Sequence, residues 1–354
     1  MGLSTCMISM NRARPGGRQA LAAVILVFVV FFLFLPKEYG VRDFSGLSWL
    51  THPSNVLIDD IDWSEFAYCT YATSSSDLCN SVMLLEALHQ VDVRADRVLL
   101  FSREWDVDGE NVTDEVRLLR RARDEYGAKL QPIDILRADD VTDPTWAAGF
   151  TKWLAFNQTQ YKRVLTLDSD GTILRPMDEL FLLPSVSVAM PRAYWLNDSL
   201  SAQVTLVQPS SSAFSRIQEQ IAKRGPNDFD MEIINALYED SCMVIPHRPY
   251  NLLTGEFRKE GSEHAAYLAD PDEQWDPIKI MGEAKYIHFS DWPLPKPWAA
   301  YNDEVKQKIM PKCGGIDEPS DNECADRKLW NWLYDDFRDR RTKVCGSQFR
   351  SWER

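Results

Sequence analysis

From Phe66 onward the chain alternates short apolar runs with helix-spaced segments, and that alternation leaves few folds open to it. Phe66-Ala-Tyr-Cys-Thr-Tyr71 alternates as a strand does, and Asp77 to His89 carries Leu78, Val82, Leu85 and Leu88 at helical spacing. Arg97 to Phe101 is a second apolar strand. Thr113-Asp-Glu-Val-Arg opens a second helix with Thr113 as N-cap, and Lys129 to Leu136 is a third strand after Gly127. Thr145 to Thr159 reads as a helix leading into a fourth strand, Arg163 to Leu167. This order implies an α/β fold, a mostly parallel sheet with helices on both faces. Farther on, Val186 to Met190, Val204 to Val207 and Cys242 to Pro246 read as strands, and Ser212 to Lys223 and Asp230 to Tyr238 as helices. Residues 255 to 280 read as irregular, and Asp326 to Lys343 as a closing amphipathic helix. No Gly-x-Gly-x-x-Gly and no Gly-Lys-Ser/Thr loop is present, which removes the usual dinucleotide and P-loop readings.

The fourth strand ends in Leu167-Asp168-Ser-Asp170. In an extended backbone residues two apart point to the same side, so both carboxylates can aim at one point. Hard oxygen donors of this kind suit Mg²⁺ or Mn²⁺ better than zinc or copper. The carboxyl end of a strand in such a sheet is also where nucleotides bind. A chain with 53 Asp and Glu against 39 Lys and Arg contains Asp-x-Asp by chance, however, so the context must decide.

At 354 residues and 45% hydrophobic, the chain can bury a full core, and its net charge of -14 argues against nucleic acid as a partner. The N-terminus differs from the rest: Arg12, Arg14 and Arg18 precede an uninterrupted apolar run from Ala20 to Leu35. The expected organisation is a cytoplasmic tail over 1–19, a transmembrane signal-anchor over 20–36 and a stem over 37–62. A lumenal domain over 63–345 and a C-terminal tail over 346–354 follow. A cleaved signal peptide competes with the anchor, and bulky Phe31, Phe32 and Phe34 oppose cleavage. Three sequons, at Asn111, Asn157 and Asn197, are consistent with a lumenal domain. Six cysteines besides Cys6 permit up to three disulfides whose pairing the sequence does not select. Cys69 and Cys79, in apolar surroundings, read as core thiols.

The partner of the acid pair is Tyr286-Ile-His288-Phe-Ser-Asp-Trp-Pro-Leu-Pro-Lys296-Pro-Trp298, a strand ending in an imidazole followed by a Lys-Pro-Trp. Together with Tyr161-x-x-Val-x-x-Leu-Asp168-Ser-Asp170 and Pro176-x-Asp178-Glu-Leu-Phe181, it resembles glycosyltransferase family 8, which contains glycogenin. Phe66 to His89, Pro191-Arg-Ala-Tyr-Trp195, Asp230 to Asn235 and Pro246 to Gly255 are similar to the fungal Golgi N-acetylglucosaminyltransferases of that family. The resemblance covers residues 64 to 345. It implies a GT-A, Rossmann-like fold and a type II single-pass Golgi membrane enzyme with its catalytic domain in the lumen. The activity implied is retaining transfer of N-acetylglucosamine from UDP-GlcNAc to a mannose-containing glycan, with Mn²⁺ as cofactor.

By the same resemblance Asp168, Asp170 and His288 are the metal ligands. Lys152 lies near the donor sugar and phosphates, Lys296 steadies the diphosphate, and Tyr71 and Thr73 contact the uracil and ribose. Asp230 matches the family's acid beside the donor sugar; with Lys152 it is a candidate catalytic residue, and Glu232 is the other nearby carboxylate. The chain departs from the family's pattern at Asp77, at Ser201-Ala-Gln203 and at Met231, and the loop from His288 to Lys296 is two residues longer. Leaving-group chemistry fits these roles, since a cation and two ammoniums placed where a diphosphate develops charge stabilise that charge. Other UDP-hexoses as donor, or a non-catalytic glycan-binding protein on the same fold, are the alternatives.

Among the tryptophans, Trp146 and Trp153 read as core, while Trp195 and Trp292, in loops, are candidates to stack on sugar rings. His52, His89, His247 and His264 read as surface or ordinary packing. The basic run Arg338, Arg340, Arg341 and Lys343 reads as a solvated helix end.

Overall fold

The computed structural model describes residues 61–137, 147–196, 199–313 and 324–350. The expected tail, anchor and nearly all of the stem lie outside the described residues, as do Trp146 and the sequon at Asn197. Among the described residues no helix is long and apolar enough to cross a membrane.

Seven strands form the central sheet in the order β3-β2-β1-β4-β7-β6-β8: β1 (Phe66–Ala72), β2 (Asp96–Ser102), β3 (Ala128–Ile133), β4 (Arg163–Leu167), β6 (Val188–Pro191), β7 (Val204–Val207) and β8 (Met243–Ile245). The first four are mutually parallel, as the strand-helix alternation requires. β7 then runs antiparallel to both β4 and β6, and β8 runs parallel to β6, so the sheet is mixed beyond β4. Strand order reverses direction at β1 and β4, which opens a crevice at their carboxyl ends.

Helices cover both faces. Helix α1 (Ser75–Gln90) starts where Ser74 accepts a hydrogen bond from the Asp77 amide, and α2 (Asp114–Asp124) starts at Thr113, which accepts from the Val116 amide. On the other face α3 (Ser211–Lys223) and α4 (Asp230–Tyr238) pack with a stretch from Gly149 to Asn157. That stretch, expected to be a helix, is one of the 3₁₀ type. Its Phe150, Trp153 and Phe156 are fully buried against Val164, Val207, Ile217 and Ile233, so tertiary packing sets its geometry. Residues 255 to 280, expected to be irregular, hold 3₁₀ turns at Thr254–Arg258 and Gly261–His264 and short helices at Ala265–Leu268 and Pro277–Glu283.

The closing helix, α5 (Ala325–Cys345), corrects two expectations. Its basic run is a solvated end only at Lys343, which is exposed: Arg341 is 1% exposed and bonded to Ser76 and Asn80, and Arg340 holds Glu86 at 2.6 Å. Cys79 is not a core thiol, because it is bonded to Cys345 and ties α1 to the end of α5. A second disulfide joins Cys313 to Cys324, while Cys69 is a buried free thiol and Cys242 is also free. The Cys79–Cys345 bond closes a loop of sequence separation 266 and limits the unfolded chain. Cys79→Ser is expected to lower stability by about 2–5 kcal/mol, read as a shift of the urea unfolding midpoint.

Candidate active site

A second, three-stranded sheet assembles the site: β5 (Gly171–Ile173), β10 (Tyr286–His288) and β9 (Leu252–Leu253), in the order β5-β10-β9. β10 runs antiparallel to β5 with His288 opposite Gly171, and parallel to β9 with His288 opposite Leu253. The ladder continues one step further, with the Phe289 amide donating to the Asp170 carbonyl at 3.0 Å. In this way the end of β4 and the distant His288 meet. On the other side, the Asp168 amide donates to the Gln203 carbonyl at 3.1 Å, extending the pairing of β4 with β7.

Ligand atoms of Asp168, Asp170 and His288 lie within 4.8 Å of one another. His288 Nε2 is 2.8 Å from Asp170 Oδ1, and Lys296 Nζ is 2.8 Å from Asp170 Oδ2. Lys296 also donates to the Phe289 carbonyl. Behind the acid pair, Lys152 Nζ contacts Asp168 Oδ1 at 2.6 Å and Asp230 Oδ2 at 2.7 Å, with the Ala202 carbonyl at 3.4 Å. Lys152 is 3% exposed, so its charge is tolerable only because two carboxylates share it.

The electrostatics follow from this arrangement. Burial pushes the Asp168 carboxyl up to about 7, Lys152 opposes that, and the like charges of Asp170 and Asp230 add to it. Burial acts in the same sense on Asp170, but His288 and Lys296 outweigh it and hold that carboxyl well below the usual range. Desolvation disfavours charge on Lys152, and Asp168 and Asp230 overcome this and raise its pKa well above the ordinary value. Burial lowers the pKa of His288, although Asp170 pulls the other way. Three acidic side chains thus crowd around Lys152 and Lys296 in a largely buried cluster.

A divalent cation fits these residues. The donor set is two hard carboxylates and an imidazole, with ligand atoms close enough together to share one ion. His288 Nδ1 is buried with no protein partner, as are the side-chain oxygens of Ser201 and Gln203, the residues either side of Ala202, whose carbonyl Lys152 meets.

The other expected residues divide. Tyr71 belongs to the cluster: burial lifts its phenol well above the ordinary range, and Lys152, Asp168 and Asp230 are the charges that act on it. Thr73 turns its hydroxyl to Asp77 at 2.9 Å rather than to the acids. Asp230 stands at the first turn of α4 and faces Lys152, whereas Glu232 accepts from the Phe229 amide at 3.0 Å and is committed to starting the helix. Of the two nearby carboxylates only Asp230 faces the site.

Two supports carry no signal that pattern reading detects. Tyr286 donates to the Asp168 carbonyl at 2.9 Å, its ring lying across Gly171 where a Cβ would overlap it. Gly171→Ala is expected to displace the Tyr286 ring and to destabilise by about 1–3 kcal/mol, measurable by chemical denaturation. Asp291, in the loop between His288 and Lys296, is buried and accepts from Trp330 Nε1 at 3.1 Å, from Tyr334 at 2.8 Å and from Thr254. Among the candidate stacking tryptophans, Trp195 is half-buried against Tyr194, and Trp292 is 87% exposed.

No protein-family model matches the chain. It is 42% identical over 312 residues to glucose N-acetyltransferase 1 of Aspergillus fumigatus, covering 82% of this chain and 80% of that one. It is 49% identical over 297 residues to glucose N-acetyltransferase 1 of Gibberella zeae, covering 81% of this chain and 64% of that one, so it spans less than two thirds of that relative. Among solved structures, the glycosyltransferase GlyE of Streptococcus pneumoniae superposes with a TM-score of 0.48 at 15% identity, over 77% of this chain and 60% of that one. The galactosyltransferase LgtC, solved with donor and acceptor sugar analogues, gives a TM-score of 0.44 at 13% identity, over 76% of this chain and 95% of that one.

Proposed function

This chain belongs to the family of fungal glucose N-acetyltransferase 1 proteins, and from that premise we propose that it is a retaining, metal-dependent glycosyltransferase. In this reading it transfers N-acetylglucosamine from UDP-GlcNAc to a mannose-containing glycan, as a type II membrane protein of the Golgi with the folded domain in the lumen. The observation that carries it is the convergence of Asp168, Asp170 and His288 on one point, with Lys152 and Lys296 on either side.

Asp168, Asp170 and His288 are the residues to hold Mn²⁺, which when bound stabilises negative charge on diphosphate oxygens. Lys296, already at the rim of the cluster, supplies a further positive charge to those oxygens. Tyr71, at the end of β1, offers an aromatic face and a hydroxyl for the uracil and ribose. Lys152 keeps Asp168 and Asp230 fixed in the free protein, so the site is organised before the donor arrives.

Retention follows front-face attack. The bond from the anomeric carbon to the β-phosphate oxygen breaks as the acceptor oxygen bonds to the same face, and the acceptor's proton passes to the departing phosphate. Asp230 is held in an ion pair with Lys152, which suits it to orienting the donor sugar rather than to acting as a nucleophile.

The test is release of UDP from a panel of UDP-sugars with α-linked mannobiose as acceptor and Mn²⁺ present. UDP-GlcNAc is expected to be turned over fastest with a retained α linkage in the product. Faster turnover of UDP-glucose or UDP-galactose rejects the donor assignment, and no turnover of any donor leaves a glycan-binding protein.

A further inference from the structure

We infer that Trp292 is an acceptor-sugar platform: its indole stacks on a pyranose ring of the glycan at the mouth of the Asp168–Asp170–His288 cluster. The two ends of the loop from His288 to Lys296 meet on a single carboxylate, His288 on Asp170 Oδ1 and Lys296 on Asp170 Oδ2, both at 2.8 Å. Trp292 lies midway, four residues from either end. Four extended residues reach at most about 14 Å, so the Trp292 backbone stands no farther than that from the backbone of His288 and of Lys296, the two residues that meet on Asp170.

The loop has an inner and an outer side. Its inner side is Asp291, which anchors to Thr254 and to Trp330 and Tyr334 of α5, with Arg258 at 3.4 Å. The Leu294 amide donates to the Asp291 carbonyl at 2.8 Å and Leu294 is buried, closing a tight turn with Trp292 inside it. Gly255 lets the loop pack closely, since a Cβ there would stand 2.7 Å from the Ser290 carbonyl. The backbone beside Trp292 is thus fixed on every side, while the side chain itself is 87% exposed.

Such an indole contributes nothing to the core, and a large rigid aromatic held out at a sugar-transfer site is suited to the apolar face of a pyranose.

The inference rests on the acceptor half of the function proposed above. The experiment compares full-length wild type with Trp292→Ala and Trp292→Phe, measuring mannobiose KM, kcat and, separately, mannobiose-independent hydrolysis of UDP-GlcNAc. Trp292→Ala is expected to raise mannobiose KM on the order of threefold to tenfold while donor hydrolysis is unchanged, and Trp292→Phe to recover most of the loss. Mannobiose is also expected to quench part of the tryptophan emission of the wild type and none of that part in Trp292→Phe. Equal KM and equal quenching in all three proteins overturn the platform alone, including the case in which Trp292→Ala changes only self-association. A wild type that hydrolyses UDP-GlcNAc but ignores mannobiose overturns the acceptor reading and the platform together.

Discussion

Asp170→Asn is expected to cut UDP-GlcNAc turnover by at least about a hundredfold while the protein remains folded. Both His288 and Lys296 touch Asp170, so the substitution changes three elements of the site at once. It removes an anionic cation ligand, leaves the imidazole without its anionic partner, and frees Lys296 from its anchor. Loss of a single preorganised charge-stabilising group typically lowers kcat by about 10²–10³. The outcome is read from UDP release at saturating Mn²⁺, with circular dichroism as the control for folding and manganese electron paramagnetic resonance for binding. Wild-type turnover in the variant would remove Asp170 from the metal site.

Lys152→Met is expected to act differently, on stability as well as on turnover. The ammonium is almost fully buried between Asp168 and Asp230, and its removal leaves two carboxylates facing each other with Asp170 close by. Breaking a buried ion pair from one side typically costs about 3–5 kcal/mol, because the remaining charge has lost its partner. The unfolding midpoint should therefore fall in metal-free buffer, and added Mn²⁺ should restore part of the loss by binding the native state. Combining Lys152→Met with Asp230→Asn should be less damaging than the sum of the two changes, since one unpaired charge is removed with the other. Strict additivity would mean that Lys152 and Asp230 do not act as a pair.

Much of this site is legible in the sequence, and the reasons are physical. β4 and its acid pair announce themselves because five residues of uninterrupted strand end in carboxylates of one parity. His288 and Lys296 are found by motif, their separation from Asp168 being bridged only by a resemblance to known transferases. What escapes is whatever depends on elements too short to have a period. β5 and β9 have three and two residues, yet with β10 they form the sheet that places His288 opposite Gly171.

Side chains whose environment is made by distant partners escape for a related reason. Arg341 reads as a surface arginine until Ser76 and Asn80 receive it, and Cys79 reads as a core thiol until α5 brings Cys345 alongside. Glu232 and Asp230 look equivalent along the chain. Only the start of α4 separates them, directing one carboxylate to cap the helix and the other to Lys152.

The most direct test of the account is release of UDP from UDP-GlcNAc by the wild-type protein in Mn²⁺ and in EDTA, with Asp170→Asn run in parallel. Turnover is expected in Mn²⁺, none in EDTA, and recovery when Mn²⁺ is restored, with Asp170→Asn near the EDTA level throughout. Equal turnover in Mn²⁺ and EDTA, or by Asp170→Asn and wild type, contradicts it.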